Sequence, residues 1–237
     1  MRAGFGFVPF PTAPDDQRLP HVPLLVPRPA RPDLRPRGAE RPSPQSPVES
    51  SRKERAACGV GAALLSAAVI NVLRSSSLPS VDFRKPDSVL AALNEAFPME
   101  RQNDRFFTIW YGVHSKSAAT LSYSTGGHPP AIHLRAAADG KARASQLVTY
   151  GGMAIGAFPD LTYESKSIVV EPGDRLLVLS DGTFEVNGAD GGMLSVRDLA
   201  EYAVAHSDEP GQILEWVRSI NGTGPLPDDF SLLRIQF

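Results

Sequence analysis

The sequence predicts an α+β fold with largely antiparallel sheets, and three observations carry that prediction. Two helix-patterned segments come first, at residues 59–75 and 86–97. Six short strand-patterned segments follow between residues 106 and 179, parted by Gly, Pro and Asp clusters at the short intervals that antiparallel hairpins require. Two more helix patterns and a last strand close the chain. Helices, then a block of strands, then helices and a final strand give segregated layers rather than alternating βαβ units.

The first segment, residues 1–57, lies outside this pattern. Twelve of the 22 prolines fall between Pro9 and Pro47. Through Arg55 there are 10 basic and 6 acidic residues, about +4, which leaves about −6 for the remainder. Proline at this density removes amide donors and blocks helix and sheet interiors. The segment is therefore expected to be disordered or loosely extended. Pro27-Arg-Pro-Ala-Arg-Pro32 also has the composition of a proline-rich ligand, a pattern common by chance in Pro/Arg-rich sequence. A third reading concerns the gene. Pro, Arg, Ala and Gly enrichment that stops near Ala57 is what a GC-rich gene yields when read out of frame.

From Cys58 onward the residues justify each element in turn. Residues 59–75 alternate small residues with Leu64, Leu65, Val69, Ile70 and Leu73, so almost every helical face is apolar, as for a helix packed deep against a sheet. Pro86 suits the first turn of the second helix, and Asp87 favours its dipole. Val89, Leu90, Leu93 and Phe97 make its stripe, and Pro98 ends it. The strand patterns are residues 106–113, 120–124, 131–134, 146–149, 162–170 and 175–179. Ser195-Val-Arg-Asp198 opens the third helix with a capping-box pattern, and Pro210 opens the fourth. Residues 230–237 form the last strand.

Composition narrows the function. An apolar share of 42% is ordinary for a globular protein. A net charge of −2 gives no reason to expect nucleic-acid or membrane binding. The most apolar segment, residues 59–73, contains Ser66 and Asn71 and falls short of the roughly 20 residues that cross a bilayer. The N-terminal residues lack the continuous apolar core of a signal peptide. The single cysteine, Cys58, excludes an internal disulfide and fits a reducing, cytoplasmic location.

The chemistry centres on Glu171-Pro-Gly-Asp-Arg-Leu-Leu-Val-Leu-Ser-Asp-Gly182. Pro172 and Gly173 suit the two middle positions of a type II turn. Leu176 to Leu179 is an apolar run short enough for a strand buried on both faces. Asp181 then leaves the strand through Gly182. An unpaired buried carboxylate is costly, so Asp181 either bonds turn amides or binds a cation. Asp228-Asp229 precedes the last strand, where adjacent acids usually form a solvated loop. Carboxylates from two strand ends that meet at one sheet edge repel unless a hard cation lies between them. Water bound to Mg²⁺ or Mn²⁺ would then be a ready nucleophile for phosphate esters.

Several blocks, in order, resemble the SpoIIE/RsbU-type serine phosphatases, a bacterial branch of the PPM metal-dependent protein phosphatases. They are Gly59-Val-Gly-Ala-Ala-Leu-Leu65, Leu93-Asn94, Phe106-Phe-Thr-Ile-Trp-Tyr-Gly112, Tyr123-Ser-Thr-Gly-Gly-His-Pro-Pro130, Gly173-Asp-Arg-Leu-Leu-Val-Leu-Ser-Asp-Gly182 and Asp228-Asp-Phe-Ser-Leu-Leu233. The resemblance spans residues 58–237. It implies a PPM-like α-β-β-α sandwich, a two-metal site of Mg²⁺ or Mn²⁺, and hydrolysis of phosphoserine or phosphothreonine on a protein such as an anti-sigma-factor antagonist. It assigns Asp181 to a metal ligand, and Asp228, with Asp229 as the lesser candidate of that pair, to another. The family's other ligands come from an early Gly-Asp block and an Asp-x-x-Gly-His-Gly block before the first helix. Here that position reads Arg55-Ala-Ala-Cys58, with Cys58 where the family has His. The chain thus resembles a partial domain missing its first strands, impaired in catalysis, or a non-catalytic protein-binding relative.

Other residues have plainer expectations. His128 reads as a turn residue bonded to nearby backbone, and Phe106, Phe107, Trp110 and Tyr111 as core. Glu185 reads as a solvated strand end. Cys58 is placed beside a helix N-terminus without an evident base. Gly151, Gly152 and Gly156 read as a flexible connection.

Overall fold

Side chains alternate between two faces along a strand, and in β2 (Arg105–Ser115) that alternation builds two different cores. Phe107, Ile109, Tyr111 and Val113 pack under the first two helices, whereas Trp110 points the other way into the space between two sheets. The computed structural model describes the backbone of residues 21–29, 47–136, 142–188 and 191–237, with side chains from residue 61 onward, Ala136 excepted.

One sheet has the order β1-β2-β3-β6, with β1 His21–Pro29, β3 Thr120–Gly126 and β6 Lys166–Val169. The other has the order β5-β4-β7-β8, with β4 Ala131–Ala136, β5 Ala142–Leu147, β7 Arg175–Leu179 and β8 Leu232–Gln236. All the pairings are antiparallel. Helices α1 (Pro47–Ser75) and α2 (Pro86–Ala96) cover the first sheet through Leu65, Val69, Val89, Leu90 and Leu93. Helices α3 (Val196–Ala205) and α4 (Pro210–Asn221) cover the second, with Leu199, Ala203, Ile213 and Val217 against Ile132, Leu134, Leu177 and Leu179. Ala131, Leu176 and Val178 have the opposite parity on the same strands and meet Trp110, Leu121 and Tyr123 between the sheets. The layers are α-β-β-α.

Local chemistry explains the element ends. Asp174 N donates to Glu171 O at 3.0 Å, and Gly173 has φ +91°, as the Pro172-Gly173 turn requires. Ser195 and Asp198 close a reciprocal capping box at α3. Pro86 and Pro210 sit in the first turns of α2 and α4.

Four expectations need correction. The 1–57 segment contains regular backbone: β1 pairs with β2 from His21↔Val113 to Pro29↔Arg105, and α1 begins at Pro47 rather than Gly59. Pro23, Pro27 and Pro29 share one parity, and among the described residues β1 has β2 as its one neighbour in the sheet order. Prolines all of one parity leave the alternate amides of Val22, Leu24, Val26 and Arg28 to serve the ladder, the arrangement an edge strand tolerates. The remainder of 1–57 lies outside the described residues. Second, Cys58 falls well inside α1, not beside its N-terminus. Third, the described side chains of α1, from residue 61 onward, are buried on one side only. Ala62, Leu65, Val69 and Leu73 face the sheet, while Leu64 is 67% exposed. Fourth, the fourth strand pattern, residues 146–149, shifts to Ala142–Leu147, because β5 exposes Arg143, Ala144, Ser145 and Gln146 and so carries no apolar alternation.

One buried polar group fastens the start of β7. Asp174, 2% exposed, accepts from His133 Nε2 at 2.9 Å, Glu171 N at 3.0 Å and Arg135 Nε at 3.4 Å. Burial pushes its carboxyl upward, but the Glu171 amide and His133 together outweigh that, with Arg135 adding to them, so it lies below the ordinary value of 3.8. A carboxylate depressed on folding contributes stability above its unfolded value and loses it as pH falls through the folded one. The urea midpoint is therefore expected to drop as pH is lowered below about 3.8, and Asp174→Asn should flatten that drop while lowering the midpoint at neutral pH.

Candidate metal centre at the ends of β7 and β8

Strand β7 delivers Asp181 to the end of the sandwich opposite Asp174, about 20 Å away at the rise of a strand. Leu179 is the last strand residue, and Asp181–Thr183 form a single 3₁₀ turn. Asp181 is 5% exposed. Its Oδ1 accepts from Gly182 N at 3.1 Å, and its carbonyl accepts from Phe184 N and Glu185 N at 3.0 and 2.8 Å. The turn-amide reading of Asp181 is thus realised.

The second acidic segment comes to the same place. Ser180 N donates to Ser231 O at 2.9 Å, Ser180 Oγ donates to Asp229 O at 2.9 Å, and Ser231 N donates to Ser180 Oγ at 3.0 Å. These bonds extend the β7–β8 ladder beyond Leu179↔Leu232. Gly182 then lies so close that a Cβ there would stand 2.4 Å from Asp229 O and 3.1 Å from the Asp228 carbonyl carbon. Residues 181 and 228–229, 47 positions apart in the chain, are neighbours because two antiparallel strands end together. Asp228 and Asp229 are exposed, and Asp228 Oδ1 accepts from Asp229 N at 2.7 Å.

This arrangement does not amount to a two-metal site by itself. Among the described residues, no group of three or more His, Cys, Asp or Glu side chains could hold a metal ion. One buried and two exposed carboxylates, with no bridging ligand among the described residues, do not by themselves make a two-ion centre. Glu185 is exposed, in keeping with a solvated strand end.

Strand β4 runs antiparallel to β7 with Ile132 opposite Leu177, so the residues before β4 lie at the Asp181 end. His128 is there, 6% exposed, with Nδ1 at 2.9 Å from Pro129 O, a turn residue bonded to adjacent backbone as expected. The 151–156 stretch also reaches this end, and it is packed rather than flexible. Gly127 N donates to Gly152 O at 2.8 Å, and a Cβ on Gly152 would fall on Thr125 O. Gly156 has φ +82° and abuts Phe97 O.

Sequence reasoning gave Asn94 no role. It is 4% exposed and holds the 148–163 connection through three hydrogen bonds. The signal was present: an amide stands within the Leu90, Leu93, Phe97 stripe of α2, where a polar side chain needs partners.

Comparison with known proteins agrees with this fold. The family described as Stage II sporulation protein E (SpoIIE) matches residues 58–237. "Phosphoserine phosphatase RsbU" of Bacillus subtilis (strain 168) is 25% identical over 166 residues, 68% of this chain and 47% of that protein. The chain thus spans about half the length of that relative. The RsbU and RsbW domains of Rv1364c from Mycobacterium tuberculosis superpose with a TM-score of 0.61 at 20% identity, covering 98% of this chain and 55% of that one. RsbX in complex with magnesium gives a TM-score of 0.56 at 15% identity over 99% and 87% of the two chains. Likenesses at these identities establish a shared fold, and the family match over 180 residues (58–237) settles the membership: this chain belongs to the family described as Stage II sporulation protein E (SpoIIE).

Proposed function

We propose that residues 58–237 are a phosphoserine/phosphothreonine protein phosphatase module in which Asp181 and Asp228 are metal carboxylates, with Asp229 beside them. The carrying observation is the apposition of the Ser180–Gly182 and Asp228–Ser231 backbones at one end of the central sheets. The proposed substrate is a phosphorylated bacterial regulatory protein such as an anti-sigma-factor antagonist, and the proposed cation is Mg²⁺ or Mn²⁺.

Hydrolysis by this polypeptide is slow in this reading. A hard cation held by one or two carboxylates is bound weakly and in loose geometry. Lost positioning and charge stabilisation cost orders of magnitude in rate. The residues Arg55-Ala-Ala-Cys58, standing where the family carries its Asp-x-x-Gly-His-Gly block, support this impaired state. A non-catalytic role in binding the same class of partner is the second reading, and it rests on that same observation.

The test is Mn²⁺-dependent hydrolysis of a phosphoserine peptide by the full chain and by Asp181→Asn. The expected result is a rate near background for both. Rapid Mn²⁺-dependent turnover that Asp181→Asn abolishes would show that the chain holds a complete site. The reading frames upstream of codon 58 supply a companion test. If a Gly-Asp block and an Asp-x-x-Gly-His-Gly block are encoded there, a chain carrying them is expected to exceed the present one by about a thousandfold or more.

A further inference from the structure

A buried amide on α2 governs a connection that otherwise belongs to the sheets. Residues 148–165 run from β5 to β6 without regular structure of their own. Connections of that length usually expose their backbone and move. This one is stitched down at successive points. Near its start, Gly127 N donates to Gly152 O. In its middle, Phe107 and Ile155 exchange two hydrogen bonds at 3.2 and 2.8 Å, and the Ile155 side chain is fully buried in the core under α1 and α2. Met99 N donates to Gly156 O at 2.9 Å.

The Asn94 carboxamide adds three more bonds. Its Oδ1 accepts from Gly156 N at 2.7 Å and from the Tyr163 hydroxyl at 3.3 Å. Its Nδ2 donates to Phe158 O at 2.9 Å. One side chain thereby satisfies both ends of a reversing segment. No apolar residue of the same size could do so, and the backbone groups it serves would then be left without partners. Gly156 at φ +82° needs that fixed geometry, since its Cα lies against Phe97 O, at the end of α2.

The segment held in this way carries Tyr150, Met153 and Phe158, which are 73%, 46% and 43% exposed. It also leans on Gly127, directly before His128 and the start of β4, at the Asp181 end of the sandwich. We infer that Asn94 is a positioning residue. It ties the conformation of residues 148–163 to the seat of α2, and so sets the wall that borders the carboxylate end.

Amide hydrogen exchange on the full chain tests this, comparing wild type with Asn94→Leu and Asn94→Asp. In Asn94→Leu, exchange within residues 154–163 is expected to rise about ten- to a hundredfold, the worth of one or two lost buried hydrogen bonds. Exchange in β7 and β8 should change by less than about threefold, since those strands share no partner with Asn94. Asn94→Asp keeps the acceptor and loses the donor. Gly156 should then stay protected while the stretch after Phe158 loosens, and this variant carries the test if the leucine variant does not fold. Unchanged exchange in residues 154–163 would overturn the inference. So would a rise of equal size in β7 and β8, because that is the signature of general destabilisation.

Discussion

Trp110→Ala is expected to lower the unfolding free energy by about 3–5 kcal/mol, the range for removing a fully buried large aromatic. The indole is 0% exposed and lies between the two sheets. It stacks on the Tyr123 ring at 6.1 Å and 10°, and it covers Gly112, where a Cβ would fall 2.3 Å from its ring atoms. Gly112 has no side chain to collapse into the space that truncation leaves, so the cavity term should be near its maximum. Among the described residues, the indole Nε1 has no hydrogen-bond partner. Trp110→Phe should therefore cost much less than Trp110→Ala, since it gives up volume and no bond. Urea denaturation of the three proteins checks the order. Equal losses for Phe and Ala would mean that the ring does not hold the sheets together.

Gly182→Ala should cost about 3 kcal/mol, the upper part of the range for overpacking. Its special feature is that the obstructing atoms are backbone: Asp229 O at 2.4 Å and Asp229 C at 2.8 Å from the added Cβ. Side-chain rotation cannot relieve that clash. Relief requires the Asp181 turn and the Asp228–Asp229 peptide to move apart, which strains the bonds among Ser180, Asp229 and Ser231. Chemical-shift changes should concentrate at residues 180–184 and 228–232 and leave α2 and β3 unmoved. A substitution without cost would mean that the two segments are not in contact.

The folded part was legible where burial imposes a period. Arg175–Leu179 was readable because a strand buried on both faces is a short continuous apolar run between turn residues. The Ser195 capping box and the two helix-opening prolines were readable because their chemistry is local. Strand β5 was misplaced because an exposed edge strand carries no apolar alternation. Strand β1 was missed because its proline spacing was read as density. Its parity, which an edge strand requires, went unread.

The candidate site was legible in its chemistry and not in its surroundings. Asp181 stood out as an acid leaving a core strand, and Asp228 as an acid entering one. Their meeting depends on which strands pair, and β7 beside β8 is a non-local fact that spacing does not encode. Asn94 shows the converse. Its partners, Gly156, Phe158 and Tyr163, lie more than 60 residues away, so its purpose is not legible from the sequence around it.

Paramagnetic broadening by Mn²⁺, followed amide by amide in the full chain, tests the central claim most directly. Two acidic segments distant in sequence share one cation-attracting edge in this account. Millimolar Mn²⁺ should therefore broaden residues 181–183 and 228–230 together, and Asp181→Asn should weaken both effects. Broadening of one segment without the other, or strongest broadening near Asp208 and Glu209, would contradict it.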